Sequence, residues 1–405
     1  MYTSYFIARR LRQAPRESFT KVVYRIGVIS VTLELATTLI AALTMQGFQQ
    51  NIEQKLTSFS GHLQIVKYSP NRSYEEIALE KRKLHGLQQA LPEAIKAIKA
   101  FAHKAMLLKA TEDIEGIVCK GLDPEVGHDN LSTYLTEGQL IDFKCQDYNQ
   151  DILLSVQTAN RLHVQVGDEV VAYVIQQPPR HRKLRVVGLY STHIPELDEK
   201  LAFCDLRLIQ RLNNWPDSLV GGYDIFLHDL RQTQATADQL LDWLDDDLEI
   251  KATATEYAAI FDWLVIIRKN VLIFMVLILL VTSSNLASIV LIQMMEKTSM
   301  IGIFKTLGAS YGQIQRIMLW NNLYMVSQGM FWGNLMGIGL CALQQYGKLL
   351  PLNPTYYYIN HVPIAWDWGI IWGLNLLTLT VVATVLLVAT AVIVRLGPIG
   401  AMRFR

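Results

Sequence analysis

The sequence is poor in charge and in cysteine for a chain of its length. Only 18% of its 405 residues are charged, whereas 51% are hydrophobic, and this balance is too apolar for a typical soluble protein. Three of the four cysteines, Cys119, Cys145 and Cys204, fall between residues 49 and 262, an odd number without metal-site spacing. We therefore predict no disulfide framework and no metal site.

The chain also lacks the motifs of common nucleotide-binding and catalytic sites. It contains no Gly-x-x-x-x-Gly-Lys-Ser/Thr loop to cradle phosphates, and neither a His-Glu-x-x-His nor a Cys-x-x-Cys motif. Its nine histidines are scattered along the chain. We predict that the chain is not an enzyme and binds no cofactor itself.

Four long apolar runs are present, each able to cross a hydrocarbon core of about 30 Å as a helix. They predict an α-helical membrane protein with four transmembrane helices and a large α+β extracytoplasmic (periplasmic) domain between helices 1 and 2. The predicted segments are an amphipathic arm 1–25, helix 26–48, the outer domain 49–262, helix 263–295 with its outer lead-in, a loop 296–313, helix 314–344, an outer loop 345–369, helix 370–394 and a tail 395–405.

The distribution of charge predicts the topology. Residues 49–262 hold 22 Lys and Arg against 32 Asp and Glu, whereas the rest of the chain holds 15 against 4. Because basic loops stay on the cytoplasmic side, the arm, the central loop and the tail are predicted to be cytoplasmic. The acidic block 49–262 is then predicted to lie outside.

Within the outer block, alternating apolar residues predict strands at His62–Tyr68, Ile114–Lys120, Glu169–Ile175 and Leu184–Tyr190. Helical spacing predicts helices over Leu84–Lys104 and Cys204–Asn213. The strands Glu169–Ile175 and Leu184–Tyr190 form a predicted hairpin with a basic tip. Its notable residues are Pro178, Pro179, Arg180 and Arg182; the tip either attracts an acidic surface or is a solvated loop.

Two features lie inside the predicted spans. Glu34 is an acid in the first span, and such residues are either functional or packing groups with a partner. Its candidate partners are Ser283, Ser284, Asn285, Gln328 and Asn334. A stripe of small residues in the third span predicts close helix packing; it comprises Gly329, Gly333 and Gly337.

The loop between the second and third spans is predicted to contain a short amphipathic helix. Ile301, Phe304 and Leu307 or Ala309 fall on one side of it, and Gly308 is expected to end it. A helix of this kind serves either as an interfacial anchor or as a lever that a soluble partner pushes.

This loop resembles the cytoplasmic coupling segment of FtsX/MacB-type ABC permeases. The matching residues are Glu296-Lys297, Ile301, Ile303, Lys305 to Ser310, Ile314 and Ile317. Within that family the chain is most similar to the transmembrane subunits of lipoprotein-releasing (Lol) transporters. The residues that carry this similarity include Met45-x-Gly47-Phe48, Lys120-Gly121-x-Asp123-Pro124, Val166-Gly167-Asp168, Val186-Val187-Gly188, Lys269-Asn270 and Pro398-x-x-Ala401-x-Arg403-Phe404.

The resemblance implies a multi-pass inner-membrane permease that works as a homo- or heterodimer, with both termini cytoplasmic. A separate ATPase, which binds ATP and Mg, would dock on the coupling segment. Triacylated lipoproteins would then be extracted from the outer leaflet and handed to a periplasmic carrier. No nucleic-acid partner is implied. The coupling residues are expected to be Glu296, Lys297, Ile301, Ile303, Phe304, Lys305, Leu307 and Gly308.

The resemblance also assigns carrier binding to the hairpin, although its tip is shorter than the hook of the best-known members. The acyl chains are expected to enter an apolar groove open to membrane lipid at the outer ends of the first two spans, where burial contributes about 0.8 kcal/mol per CH₂. The candidate groove residues are Met45, Phe48, Trp263, Ile267, Val271 and Phe274.

Two other functions remain open at this stage. A MacB-like efflux component would drive an exporter, but such proteins usually carry a fused ATPase. An FtsX-like mechanotransmission protein would control a cell-wall hydrolase and move no substrate, but its outer domain is usually much smaller.

Overall fold

The computed structural model describes residues 18–70, 75–81, 94–124, 129–144, 148–176, 178–229, 232–241 and 243–396. The predicted arm up to residue 17, the tail from residue 397, Cys145 and residues 84–93 of a predicted helix lie outside these ranges. The chain divides into two units. A helical unit comprises residues up to Gln50, Trp263–Pro351 and residues from His361, and an α+β unit comprises Asn51–Asp262 and Leu352–Asn360.

In chain order, the helices of the described ranges are α1 (Ser18–Ser60), α2 (Asp129–Ser132), α3 (Val156–Leu162), α4 (Pro195–Asp198), α5 (Leu206–Asn213), α6 (Thr233–Leu241), α7 (Thr253–Glu256), α8 (Ala258–Glu296), α9 (Thr298–Thr306), α10 (Tyr311–Gly347), α11 (Pro354–Tyr357) and α12 (Trp368–Leu396). The strands are β1 (Leu63–Lys67), β2 (Leu79–Glu80), β3 (Ile95–Ala110), β4 (Asp113–Leu122), β5 (Leu135–Gly138), β6 (Asp151–Ser155), β7 (Glu169–Val174), β8 (Arg180–Tyr190), β9 (Leu201–Asp205), β10 (Leu219–Val220), β11 (Gly222–Leu227) and β12 (Leu248–Ala252).

Helix α1 is longer than the first predicted span. The sequence analysis placed its outer end at Phe48, whereas the helix continues to Ser60. Ile52, Leu56 and Phe59 recur at the spacing of one helix face, and all three are buried in the α+β unit. Burial of this second apolar stripe stabilises the helix beyond the apolar run.

Three helices are long and apolar enough to cross a membrane: Lys21–Ser60, Ala258–Glu296 and Trp368–Ala391. They correspond to the first, second and fourth predicted spans. The third predicted span lies in one continuous helix, α10, which is not among these three. Long apolar helices and an α+β domain are therefore confirmed, whereas four spans stay a prediction.

The α+β unit is built on a mixed sheet. Among the described residues it has ten strands, with the order β12-β1-β11-β3-β4-β9-β6-β8-β5 and β7 paired to β3 and β8. Alternate side chains of these strands form one apolar core, which includes Ile65 of β1, Cys119 of β4 and Ile225 of β11. Their neighbours Gln64, Lys120 and Asp224 are buried too and meet one another.

The predicted helix Leu84–Lys104 is wrong over its described part. Residues from Ile95 to Lys104 belong to the long strand β3. This strand pairs with β11 along its first half and with β4 along its second half. The alanine and lysine content of this stretch favours a helix. Pairing with two neighbouring strands overrides that local preference.

Two further predicted boundaries are corrected. Cys204 and Asp205 end strand β9, and the Asp205 carboxylate accepts a hydrogen bond from the backbone N–H of Arg207, so helix α5 begins only at Leu206. Strand β8 begins at Arg180 rather than Leu184, with Arg180 opposite Val174. The hairpin tip is therefore shorter than predicted.

Candidate functional site

The predicted coupling segment folds as a short helix between two long ones. Helix α9 starts after Lys297 and ends at Thr306. Gly308 follows with φ +88°, a conformation that glycine adopts without strain. Ser310 and Gln313 then form a capping box at the start of α10. The predicted helix and its stop at Gly308 agree with the structure.

One side of α9 is anchored in the helical unit. Ile301 is 9% exposed and lies in an apolar cluster with Met294 of α8 and with Ile314 and Met318 of α10. Phe304 packs against the same cluster with part of its side chain. Helix α9 is therefore packed against both of the long helices that it connects.

The other side of α9 presents apolar groups to the exterior. Ile303 is 57% exposed and Leu307 is 77% exposed, and their spacing of four residues places them on one face. The expectation that Leu307 shares the packed side with Ile301 is wrong, whereas Ala309 does pack there. We call Ile303 of α9 and Leu307, which directly follows the helix, the exposed pair of α9.

Charged residues lie near the exposed pair in the sequence. The ammonium of Lys305 lies over the ring of Tyr311, a cation–π contact, and Glu296 at the end of α8 is exposed. The segment thus combines exposed apolar side chains with charged ones. That arrangement is typical of a protein-docking surface.

The glycine stripe of α10 packs against α1. A Cβ atom on Gly329 would lie 2.7 Å from Cβ of Val31, and one on Gly333 would lie 3.0 Å from Cβ of Leu35. Gly337 similarly faces the backbone of Ala36. The missing side chains allow these two helices to approach closely, as the small-residue spacing predicts.

Glu34 has a different partner from those considered in the sequence analysis. Its Oε1 accepts a hydrogen bond from the hydroxyl of Thr378 of α12 at 3.3 Å, and its Oε2 is buried with no hydrogen-bond partner in the part of the chain that the structure describes. The five candidate partners are therefore wrong. Asn285 instead donates to Ser30, and Asn334 exchanges hydrogen bonds with Asn375 at 2.7 and 2.9 Å.

The six residues of the predicted acyl-chain groove differ in exposure. Met45 is buried within the helical unit, whereas Phe274 is half exposed on α8. Their neighbours Phe48, Trp263, Ile267 and Val271 have intermediate exposure. Acyl-chain binding by these residues remains a prediction.

The hairpin residues also differ from one another. Pro178 and Pro179 are exposed at the tip. Arg180 donates instead to the backbone oxygen of Leu212 at 2.9 Å and to Asn214 at 2.8 Å, at the C-terminal end of α5. Arg182 lies on strand β8, opposite Ala172. Arg180 is thus engaged in holding a helix end.

A residue whose role the sequence did not reveal, Lys120, joins the sheet to the end of α1. Its side chain is 2% exposed; Nζ lies 2.6 Å from an oxygen of Asp224 and donates to the backbone oxygen of Phe59 at 2.7 Å. Gln64 donates to the other Asp224 oxygen at 2.8 Å. The signal was a lysine in the buried second half of β4 and an aspartate in the otherwise uncharged strand β11.

Further contacts hold the same end of α1 in the α+β unit. Lys55 donates to the backbone oxygens of Thr192 at 2.8 Å and Tyr358 at 2.6 Å. The ring of Phe59 stacks on that of Phe203 with centroids 5.6 Å apart. We call the contacts of Lys55, Phe59 and Lys120 the α1 clamp.

Over the part of the chain that the structure describes, no group of three or more His, Cys, Asp or Glu residues could hold a metal. The described cysteines, Cys119, Cys204 and Cys341, are free and buried. Burial, with Cys119 alongside, raises the pKa of the Cys204 thiol well above its usual range.

The structure combines long apolar helices, a short connecting helix with exposed apolar residues and a large α+β unit. Residues 272–398 match the family model described as FtsX-like permease C-terminal, and the predicted resemblance is confirmed.

Two relatives extend this similarity over most of the chain. One is the lipoprotein-releasing system transmembrane protein LolC of Neisseria meningitidis serogroup B, which is 24% identical over 382 residues that cover 89% of each chain. Another is the lipoprotein-releasing system transmembrane protein LolE of Haemophilus influenzae, which is 23% identical over 389 residues that cover 91% of each.

Two solved structures were also matched. The extracellular domain of the noncanonic ABC-type transporter YknZ covers 47% of this chain and 98% of its own, with 12% identity and a TM-score of 0.33. The periplasmic region of MacB from Actinobacillus actinomycetemcomitans covers 49% and 91%, with 14% identity and a TM-score of 0.36.

Proposed function

We propose that the chain is the transmembrane permease subunit of an ABC transporter that extracts lipoproteins from the outer leaflet of the inner membrane and passes them to a periplasmic carrier. The observation that carries this proposal is similarity over about nine-tenths of the chain to proteins named as lipoprotein-releasing system transmembrane proteins. The exposed pair of α9 supports a docking site for a separate ATPase subunit, which would bind the ATP and Mg.

The exposed pair of α9 is the proposed contact with that ATPase. Ile303 and Leu307 present apolar area that a partner can bury, while Ile301 fixes the helix to α8 and α10. A push on α9 would therefore act on the inner ends of both long helices, because Ile301 packs against residues of each.

The α1 clamp is the proposed point at which α1 acts on the sheet. Helix α1 is continuous from Ser18 to Ser60, and its last turn is held in the α+β unit by the ammonium groups of Lys55 and Lys120. Helix α1 contributes residues to both units. Motion of α1 in the membrane would thus reach the sheet through these contacts.

The topology in this proposal has four spans, with α10 as the third, the α+β unit in the periplasm and both termini in the cytoplasm. The four spans of one chain form a small surface for a cargo with three acyl chains. We therefore include a second permease subunit, identical or related. Large exposed apolar side chains along α8, such as Leu272, Leu277 and Leu280, support a protein or lipid neighbour there.

The experiment is affinity purification of the full chain from detergent-solubilised membranes. If the chain releases lipoproteins, an ABC ATPase and acylated lipoproteins should copurify with it. Lipoproteins should also leave proteoliposomes when ATP is added in the presence of a carrier. An ATPase with a cell-wall hydrolase and no lipoprotein would contradict the proposal and favour FtsX-like signalling. Purification without any ATPase would contradict both functions.

A further inference from the structure

An apolar groove separates α10 from α12 near one end of the helical unit. It has a volume of about 220 Å³ and is lined almost entirely by apolar atoms. Its walls are Leu319, Trp320 and Leu323 of α10 and Ala383 and Leu387 of α12, with Arg316 at one end.

The sequence explains why the groove stays open. Positions 316, 319, 320 and 323 recur at the spacing of one helix face, and the small side chain of Ala383 stands opposite them. Beside the groove, Gln315 donates to the backbone oxygen of Leu387 at 3.4 Å. The two helices are therefore in contact at the level of Arg316 and separated by the groove next to it.

Arg316 lies at the depth of a lipid headgroup. Leu387, at its level, follows Trp368 by 19 residues along α12, which corresponds to about 29 Å at 1.5 Å per residue. A hydrocarbon core is about 30 Å thick, so Trp368 and Arg316 fall near opposite boundaries. The groove runs from Arg316 towards the middle of the bilayer, since Leu323 lies seven residues further along α10.

Within the described ranges, the guanidinium of Arg316 is unsatisfied. The side chain is exposed, and among the described residues no hydrogen bond or ion pair of Arg316 is present. A guanidinium binds phosphate through two parallel hydrogen bonds. A cation at a membrane boundary next to an apolar slot matches an amphiphile with an anionic head and a hydrocarbon tail.

We propose that this groove binds one acyl chain of an anionic phospholipid, whose phosphate pairs with Arg316. The site rests on the membrane location of α10 and α12 given above and is independent of the cargo that the permease moves. It is also distinct from the predicted acyl-chain groove, whose residues lie on α1 and α8.

The test uses the full complex reconstituted in vesicles of phosphatidylcholine with a minor fraction of phosphatidylglycerol. After extraction in mild detergent, the retained lipid is identified by native mass spectrometry. Wild type is expected to retain phosphatidylglycerol at several-fold enrichment over the vesicle composition. Arg316→Gln is expected to lose the enrichment, Arg316→Lys to keep most of it, and Ala383→Leu to reduce retention of both lipids.

The matched control is Arg268→Gln, which removes an exposed arginine from α8 and is expected to leave the enrichment unchanged. Equal enrichment in wild type and Arg316→Gln would overturn the proposal. A wild-type protein without phosphatidylglycerol enrichment would also overturn it, and this result does not depend on whether a variant folds. A crosslink from Leu323→Cys to a partner subunit would also overturn it, since a protein would then fill the groove. Copurification of ATPase and lipoprotein is measured separately. The proposed function and the proposed phospholipid site can therefore be contradicted independently.

Discussion

The ammonium of Lys120 donates a hydrogen bond to the backbone oxygen of Phe59, 2.7 Å away, although the two residues are 61 positions apart. The same ammonium lies 2.6 Å from the Asp224 carboxylate and 4.5 Å from the centre of the Phe101 ring. Phe59 is in the last turn of α1, where the helix dipole is negative and a cation stabilises the end. One buried cation therefore holds both a sheet carboxylate and a helix end.

The first prediction concerns this cation. Lys120→Met leaves the buried Asp224 carboxylate without its cation and with only the Gln64 hydrogen bond, and we expect a loss of about 3–5 kcal/mol in the free energy of unfolding. The double variant Lys120→Met/Asp224→Leu removes both charges and should recover most of that loss, while the bond to Phe59 stays absent. The measurement is thermal unfolding of the full chain in detergent.

The double variant also tests the role of the clamp in transport. Under the proposed function, ATP hydrolysis by the complex should persist while lipoprotein released per ATP falls several-fold. The control is Lys104→Met. Lys104 lies on the neighbouring strand β3 and pairs with Glu75, so this variant removes a cation without changing a contact of α1. Unchanged release per ATP in a stable double variant would show that the clamp has only a structural role.

Local patterns predicted the parts of the molecule that depend on local residues. The apolar run Val271 to Met295 lies in one helix. Gly308 and the Ser310 capping box bound the coupling helix because both devices satisfy backbone groups within a few residues.

Contacts between distant residues could not be predicted in this way. Glu34 and Thr378 are 344 positions apart, and several polar residues of the other spans were equally plausible partners by composition. The strand β3 was predicted as a helix because its pairing with β4 and β11 leaves no local mark. Periodicity constrains a helix face, but it does not say which helix covers that face.

The second prediction concerns the exposed pair of α9. Leu307→Asp places a charge at a site that is 77% exposed in the free chain, so folding should be unaffected, within about 0.5 kcal/mol. Burial of that charge against the ATPase would be costly, and we expect at least a tenfold loss of ATPase binding and of stimulated ATP hydrolysis. Copurification of the ATPase and the hydrolysis rate are the measurements.

Ile301→Asp provides the contrast on the same helix. Its side chain is buried among α8 and α10 residues, so this variant should lower the amount of folded chain as well as ATPase binding. Normal ATPase binding by Leu307→Asp would refute the docking assignment. Charge reversal at Lys305 is expected to weaken binding without loss of membrane insertion.

The third prediction concerns the glycine stripe. Gly329→Ala places a Cβ atom 2.7 Å from Val31 Cβ and 3.1 Å from the backbone oxygen of Val28, so α1 and α10 must move apart. We expect a loss of about 1–3 kcal/mol from overpacking, larger than the helix-propensity gain of about 1 kcal/mol. Gly339→Ala on the same helix meets nothing within 4 Å. It should be neutral or stabilising when thermal unfolding of the two variants is compared.

The fourth prediction concerns acid sensitivity at His62. Burial, with a smaller contribution from Lys96, lowers the pKa of His62 from 6.5 to about 4, and its Nδ1 accepts a hydrogen bond from the Leu227 N–H at 3.1 Å. Between pH 6.5 and 4 the unfolded chain binds a proton that the folded chain does not, so the free energy of unfolding falls as the pH is lowered and levels off below 4. We expect the free energy of unfolding to be lower by about 1 kcal/mol at pH 5 than at pH 7, because partial solvent exposure weakens the effect.

Denaturant titrations of the full chain at both pH values provide the measurement. His62→Gln should reduce this difference, whereas the exposed His228→Gln should retain it; an equal pH dependence in wild type and His62→Gln would assign the acid sensitivity to another group.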